Sequence, residues 1–306
     1  MPSKSRANAV GMFEPQNPRR STREHAVKHE FALATYEVIA PHVAKIMQNR
    51  PEARNAQNNR MTYDLNACFD KAAQDEDIKV VLLGGEGPHF SSGHDLKSFG
   101  KLEDPLVGTW QPSREGGVHS RYSFEQEVFL GMCRRWRDFP KPTIAMVQGK
   151  CIAGGLMLAW VCDLIIASDD ASFVDPVVAM GVCGVEYFNH PYELGIRKAK
   201  EFLFTGDVWS AQEAHRLGMV NHVVPREDLE SFTMGMAERI AKMPAFALKM
   251  AKQAVNVAQN NMGQQATMDT SLALHHMCHA HNAEMEARAV RREGVPEKFR
   301  DPAPAN

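Results

Sequence analysis

Apolar positions follow two regimes along this chain. Up to about residue 224, short apolar runs of strand length alternate with segments of helical period. Beyond residue 226 only the helical period persists. Residues 35–48 read as two short strands, with Pro41 confined to the turn between them because proline cannot donate to a sheet ladder. Pro51 and the asparagines that follow mark a loop, and an Asn at 58–59 suits a helix N-cap. Met61, Leu65, Cys68, Phe69 and Ala72 then recur at helical spacing. Residues 78–83 form a nearly continuous apolar run, the pattern of a strand covered on both faces. An amphipathic helix is predicted over 122–139, ended by Pro140, then strands over 143–148 and 163–168 with a very apolar helix between them. Ser210 caps a helix over 211–217 that Gly218 stops, and 219–224 is a last short strand. Helices are predicted over 226–242, 244–259 and 264–291, with Pro244 suited to a first helical turn. The order argues a polar lead-in at 1–30, an α/β core at 31–225 and a helical region at 226–306.

Two glycine-rich turns interrupt the pattern where strands run into helices: GGEGPHFSSGHDLK at 84–97 and KCIAGGLMLAWVCD at 150–163. Such a turn leaves backbone N–H groups unpaired at the positive end of a helix, able to hold a carboxylate, a phosphate or a developing oxyanion. Glycine admits a ligand close to the backbone. The plainer reading is tight helix–strand packing by small residues. Residues 98–121 have no clear period and are longer than most connections, which marks a lid, a pocket wall or a surface insertion.

Composition narrows the class. The chain has 306 residues, 44% hydrophobic and 24% charged, enough for a real core. A formal net charge of −2 gives no reason to expect nucleic acid or an anionic membrane as partner. No apolar run reaches the roughly 18 residues of a membrane span. Six widely spaced cysteines with no CxxC pair read as reduced thiols in a cytoplasmic protein. The first 29 residues are polar and carry Arg6, Arg19, Arg20 and Arg23 without an apolar stretch. A flexible lead-in is expected there rather than a secretory signal, the Arg/Ser content being only faintly like a transit peptide.

Taken together, RPEARNAQ, FSSGHDLK, QGKCIAGG and DLIIAS, in that order from about Val38 to Val224, resemble the crotonase superfamily of enoyl-CoA hydratases and isomerases. The resemblance implies a crotonase-like α/β spiral of ββα units and a C-terminal helical trimerisation region. It also implies a homotrimer or dimer of trimers acting on acyl-CoA, with coenzyme A entering as part of the substrate and no further cofactor. Carried over by position, the backbone N–H groups of His94 and Gly154 form an oxyanion hole. Ala53, Arg54, Asn55, Ser92, Gly93, His94, Asp95, Leu96, Lys97, Gly154, Met157 and Val177 line the substrate and CoA path.

The same resemblance fails at the acids. The family's hydratases carry two glutamates where this chain has Met157 and Val177, neither of which can move a proton. Glu186, flanked by apolar residues and expected to have a raised pKa, is the first substitute, and Asp175 the second, although it could equally cap a turn. Asp163 reads as structural. The His94 side chain, with no partner evident, reads as pocket wall. The expected activity is therefore acyl-CoA processing of the hydratase/isomerase type. The alternatives are an isomerase or hydrolase using Glu186, and an acyl-CoA-binding protein without catalysis. In LHHMCHAH, His275 and His279 share a helical face and could hold a metal, but no third ligand is evident and the HExxH acid is absent. Packing or an intersubunit contact is the expectation there, with no metal.

Overall fold

The computed structural model describes residues 28–97 and 117–284. The lead-in, the segment at 98–116 and the predicted end of the last helix lie outside the described residues.

Among the described residues, ten strands form two sheets. They are β1 Lys28–Glu30, β2 Ala34–Ala40, β3 Val43–Gln48, β4 Val80–Gly85, β5 Thr143–Val147, β6 Lys150–Ile152, β7 Leu164–Ser168, β8 Ser172–Val174, β9 Trp209–Ser210 and β10 His222–Val224. The larger sheet has seven strands in the order β1-β2-β3-β4-β5-β7-β10. Its first three strands pair antiparallel, and β3 through β10 pair parallel. The smaller sheet is β6-β8-β9. The helices are α1 Asn59–Gln74, α2 Gly117–Glu125, α3 Met132–Arg137, α4 Gly154–Trp160, α5 His190–Leu194, α6 Ile196–Thr205, α7 Ala211–Arg216, α8 Leu229–Ala241, α9 Ala245–Asn261 and α10 Gln264–Glu284.

The period-2 rule explains why the central strands are apolar throughout. Val81 and Leu83 of β4, with Ala145 and Val147 of β5, face the main core containing α1, α3 and α4. Val80, Leu82, Ile144 and Met146 face the opposite side, which α8 covers. Asn58 caps α1 by accepting from Met61 N at 2.9 Å, and Ser210 caps α7 by accepting from Glu213 N at 3.2 Å, as their sequence positions predict. No described helix is long and apolar enough to cross a membrane.

One predicted helix is not a single α-helix. Residues 122–139 divide into the end of α2, a π-helical turn at Gln126–Gly131 and α3. Gly131 permits the wide turn, since a Cβ there would lie 2.8 Å from the Gln126 carbonyl oxygen.

Asp163 and Asp175 are both tied into the frame by hydrogen bonds. Asp163 accepts from Thr143 N at 2.8 Å, Thr143 Oγ1 at 3.0 Å and Lys252 Nζ at 2.8 Å, joining the sheet to α9. Asp175 is fully buried against His190 Nε2 at 2.8 Å and accepts from the backbone of Val177 and Val185, both at 3.3 Å. Its bond from Val177 N spans Pro176 at the entry to the Val177–Met180 3-10 helix, a local turn of the kind Asp favours. Leaving a buried donor without its acceptor typically costs about 1–3 kcal/mol, and Asp175 serves the His190 ring and two backbone N–H groups. Denaturant unfolding of Asp175→Ala is therefore expected to show a stability loss of that order. A loss within about 0.5 kcal/mol, the range of an ordinary surface change, would assign the pair no structural role.

Candidate active site

The two glycine turns meet. The backbone of Ser91 bridges to β6 at Cys151, donating to Lys150 O at 3.1 Å and accepting from Ile152 N at 3.0 Å. Gln57 ties the same region together: its Nε2 donates to Ser91 Oγ at 3.1 Å and to Gly154 O at 3.0 Å. Each glycine is required by proximity. A Cβ on Gly93, which has φ +88°, would lie 2.7 Å from Ile152 O and 3.1 Å from Gly154 N. A Cβ on Gly155 would lie 2.6 Å from Ser91 O, and one on Gly154 would lie 3.2 Å from His94 N. Between them Ala153 has φ 47°, unusual for a residue with a side chain, and its N–H is held by Val174 O at 2.9 Å. The backbone nitrogens of His94 and Gly154 are thus brought close together at the start of α4. Neither donates a hydrogen bond to another group among the described residues.

Beside this pair, His94 has a side-chain partner that its sequence context did not reveal. Its Nε2 lies 3.0 Å from Glu186 Oε2, and its ring stacks on Phe129 with centroids 3.8 Å apart and planes 14° apart. The other ring nitrogen, Nδ1, is buried without a hydrogen-bond partner among the described residues. It faces Gly154, where a Cβ would lie 2.9 Å from it. The imidazole therefore spans from the amide pair to Glu186.

Glu186 is nearly inaccessible, with 4% of its surface exposed. Burial pushes its carboxyl up, but the His94 imidazole, by charge and hydrogen bond, and His275 outweigh it, while Glu125 opposes them. The net direction is below the ordinary carboxylate value. This reverses the expectation from its apolar neighbours in sequence, because the two histidines arrive from other parts of the chain.

Behind Glu186 lies a second cluster. His275 Nε2 is 3.7 Å from Glu186 Oε1 and 3.3 Å from Glu125 Oε2. His276 Nε2 is 2.9 Å from Glu125 Oε2, and His279 Nε2 is 4.0 Å from Glu125 Oε1. Burial pushes the Glu125 carboxyl up, but His275 and His276 outweigh it and hold it far down. Burial disfavours charge on His275, yet Glu125 and Glu186 raise it to about 9. Burial lowers His279 to about 4, with His275 and Arg121 adding to the shift against the pull of Glu125 and Glu186.

The remaining sequence-derived positions divide by role. Asn55 is fully buried and works as a bracket: its Oδ1 accepts from Arg50 N at 3.0 Å, and its Nδ2 donates to Glu86 O at 3.0 Å and His89 O at 2.9 Å. Asp95 pairs with Arg50 Nη1 at 2.7 Å and accepts from Lys97 N at 3.0 Å, clamping the loop after His94 to the loop before α1. Ser92 N donates to Arg54 O at 3.0 Å, bringing residues 53–55 alongside the His94 turn. Arg54, Leu96 and Lys97 are exposed, and Ala53 is half-buried. Met157 is buried in the main core, and the half-buried Val177 packs against it. Glu125 and the partnership of Asp175 with His190 were missed. The one sequence signal for Glu125 is its place four residues before Phe129, on the apolar face of a helix.

The family model for enoyl-CoA hydratase/isomerase matches residues 39–299. The chain belongs to the enoyl-CoA hydratase/isomerase family. It is 42% identical over 285 residues to the putative enoyl-CoA hydratase EchA13 of Mycobacterium tuberculosis, covering 90% of each chain. Among solved structures it resembles a probable enoyl-CoA hydratase from Mycobacterium smegmatis, with TM-score 0.76 and 44% identity, over 84% of this chain and 99% of that one. A probable enoyl-CoA hydratase from Mycobacterium thermoresistibile gives TM-score 0.75 and 43% identity over 83% of this chain and 99% of its own. The expected crotonase-type α/β fold with its C-terminal helical region is therefore what this enoyl-CoA hydratase/isomerase family member has.

Proposed function

We propose that this protein processes acyl-CoA thioesters by enolate chemistry, with the N–H groups of His94 and Gly154 holding the thioester oxygen and the His94–Glu186 pair moving the proton. The observation that carries this reading is the span of one imidazole from the amide pair to a buried carboxylate. Two converging N–H donors bind the thioester oxygen more strongly as it gains negative charge, which favours removal of a proton from the adjacent carbon. A carboxylate that accepts the Nε2 proton of His94 leaves Nδ1 as the free base beside the amides. Met157 and Val177 keep the surroundings apolar, which strengthens the few polar interactions present. The same reading has coenzyme A entering as part of the substrate and the reaction running in the cytoplasm, a location that six free cysteines support.

The test is incubation with crotonyl-CoA and longer 2-enoyl-CoAs, following loss of the conjugated absorbance, and with 3-enoyl-CoAs, following its appearance. Turnover of either series is expected. Binding of acyl-CoA with no turnover of any of them, and no exchange of α-hydrogens in heavy water, would reduce the protein to a binder. A single proton-moving pair specifically favours the isomerase alternative. Moving a double bond needs one group to take and return a proton, whereas hydration must activate water and deliver a proton as well.

The same reading includes a homotrimer or dimer of trimers. Support comes from α9, whose Phe246 (73%), Val255 (69%) and Val257 (54%) are exposed, with Met262 (74%) just beyond its end. Phe246 and Val255 lie on opposite sides of α9, so apolar surface is exposed round the helix, and exposed apolar surface of this extent marks contact with a partner. Sedimentation of the wild type is expected to give a trimer or hexamer, and of Phe246→Glu/Val255→Glu a smaller species. A monomeric wild type would reject the assembly.

A further inference from the structure

The cluster behind Glu186 has the donor set of a metal centre. From the convergence of Glu125, His275 and His279, we propose a site for a divalent first-row transition ion of the Zn²⁺ type, formed between the end of α2 and the middle of α10. The ligand atoms of these three residues all lie within 4.8 Å of one another, and all three residues are buried. His275 Nε2 and His279 Nε2 are 2.9 Å apart, His275 Nε2 and Glu125 Oε2 3.3 Å, and His279 Nε2 and Glu125 Oε1 4.0 Å. With metal–ligand bonds of about 2.0–2.1 Å, neighbouring ligands of a tetrahedral ion stand about 3.3 Å apart. The separations, those to Glu125 taken to its nearer oxygen in each case, bracket that value.

Orientation supports the same conclusion. His275 Nδ1 lies 2.8 Å from Gly184 O, which accepts its N–H and holds the ring so that Nε2, once an ion displaces its proton, directs its lone pair inward. His279, one helical turn on, aims its Nε2 at the same point. Both oxygens of Glu125 are fully buried and lack an aligned hydrogen-bond donor among the described residues. A single proton can bridge only one pair in such a set, whereas one cation satisfies two imidazoles and the carboxylate together. His276 Nε2, 2.9 Å from Glu125 Oε2, is placed to steady the ligating carboxylate from outside. Two imidazoles and one carboxylate leave positions open on the ion, and Glu186 borders the cluster through its 3.7 Å approach to His275. The two helical histidines alone made a weak motif; Glu125, 150 residues earlier, supplies the third ligand. The site does not rest on the acyl-CoA reading and stands or falls separately from it.

The full chain, stripped with a chelator, is titrated with Zn²⁺ by calorimetry and with Co²⁺ by visible absorbance. One equivalent per chain is expected to bind, with a Co²⁺ spectrum distinct from that of the aqua ion. His279→Ala and Glu125→Gln are expected to weaken Zn²⁺ binding by more than about tenfold. His281→Ala, on an exposed position of the same helix, is expected to leave it unchanged. The proposal is overturned if the folded wild type binds no Zn²⁺, or if both ligand variants bind it as the wild type does. It is also overturned if Co²⁺ retains its aqua spectrum, a measurement on the wild type that holds even where a variant fails to fold.

Discussion

Replacing Glu186 by glutamine is expected to lower turnover of an enoyl-CoA by about 10²–10⁴-fold, the usual worth of a positioned acid or base, while acyl-CoA still binds. Glutamine keeps the shape of the side chain but removes its charge. It can also present an amide N–H to His94 Nε2, which would fix the imidazole in the tautomer that carries its proton on Nδ1. The base beside the amide pair would then be blocked. Because Glu186 meets the His94 side chain at 3.0 Å while the amides belong to the backbone of His94 and Gly154, the substitution leaves the two N–H groups proposed to hold the thioester oxygen in place. Binding measured by calorimetry with a saturated acyl-CoA should change far less than kcat. His94→Phe separates the two members of the pair. It preserves a ring stacked on Phe129 and the backbone N–H, yet removes both nitrogens. Loss of turnover in both variants makes the imidazole the proton carrier. Loss in the glutamine variant alone would make Glu186 act directly on substrate, and full activity in the glutamine variant would remove it from the mechanism.

Gly154→Ala should be comparably damaging through geometry alone. The new methyl would lie 2.8 Å from His94 Cε1, 2.9 Å from Nδ1 and 3.2 Å from its backbone N. It thus intrudes on the space between the two amides and displaces the imidazole from Glu186. Losing one oxyanion donor typically costs about 10²–10³-fold in kcat, or about 3 kcal/mol. The alanine variant is expected to fall at or below the lower bound of residual activity this implies, with stability reduced by less than the Asp175→Ala variant. Steady-state kinetics alongside denaturant unfolding separates the two effects. An alanine variant that keeps wild-type kcat would show that the space between His94 N and Gly154 N is not where the thioester oxygen sits.

Much of the frame was readable in the residues because local rules decided it. The doubly covered strands β4 and β5 announce themselves as apolar runs, α1 by its spacing and its Asn58 cap, and the two glycine turns by their small residues at strand ends. What stayed hidden depends on contacts between distant positions. His94 and Glu186 lie 92 residues apart, and Glu125 and His275 150 apart, so no periodicity connects them. Glu186 looked like a lone acid among apolar neighbours, and its direction of shift reversed once two imidazoles were brought to it. Asp175 reads equally as a catalytic acid or a turn residue, and its contact with His190, 15 residues on, is one that no local pattern announces. The π-turn escaped because its cause, the approach of Gly131 to the Gln126 carbonyl, has no signature beyond a glycine in a helix.

That wide turn works as a phase shifter. Helix α2 before it faces α10, where Glu125 meets three imidazoles, while α3 after it packs on α1 and α4 through residues such as Trp136, which stacks on Phe69. A regular α-helix advances by about 100° per residue, so gaining or losing one residue between Glu125 and Met132 would turn the two ends by that angle relative to each other. Either Glu125 would swing off the histidines or Trp136 off the core. The spacing between those two residues is thus a molecular vernier, and length changes there are far less tolerable than substitutions on either side.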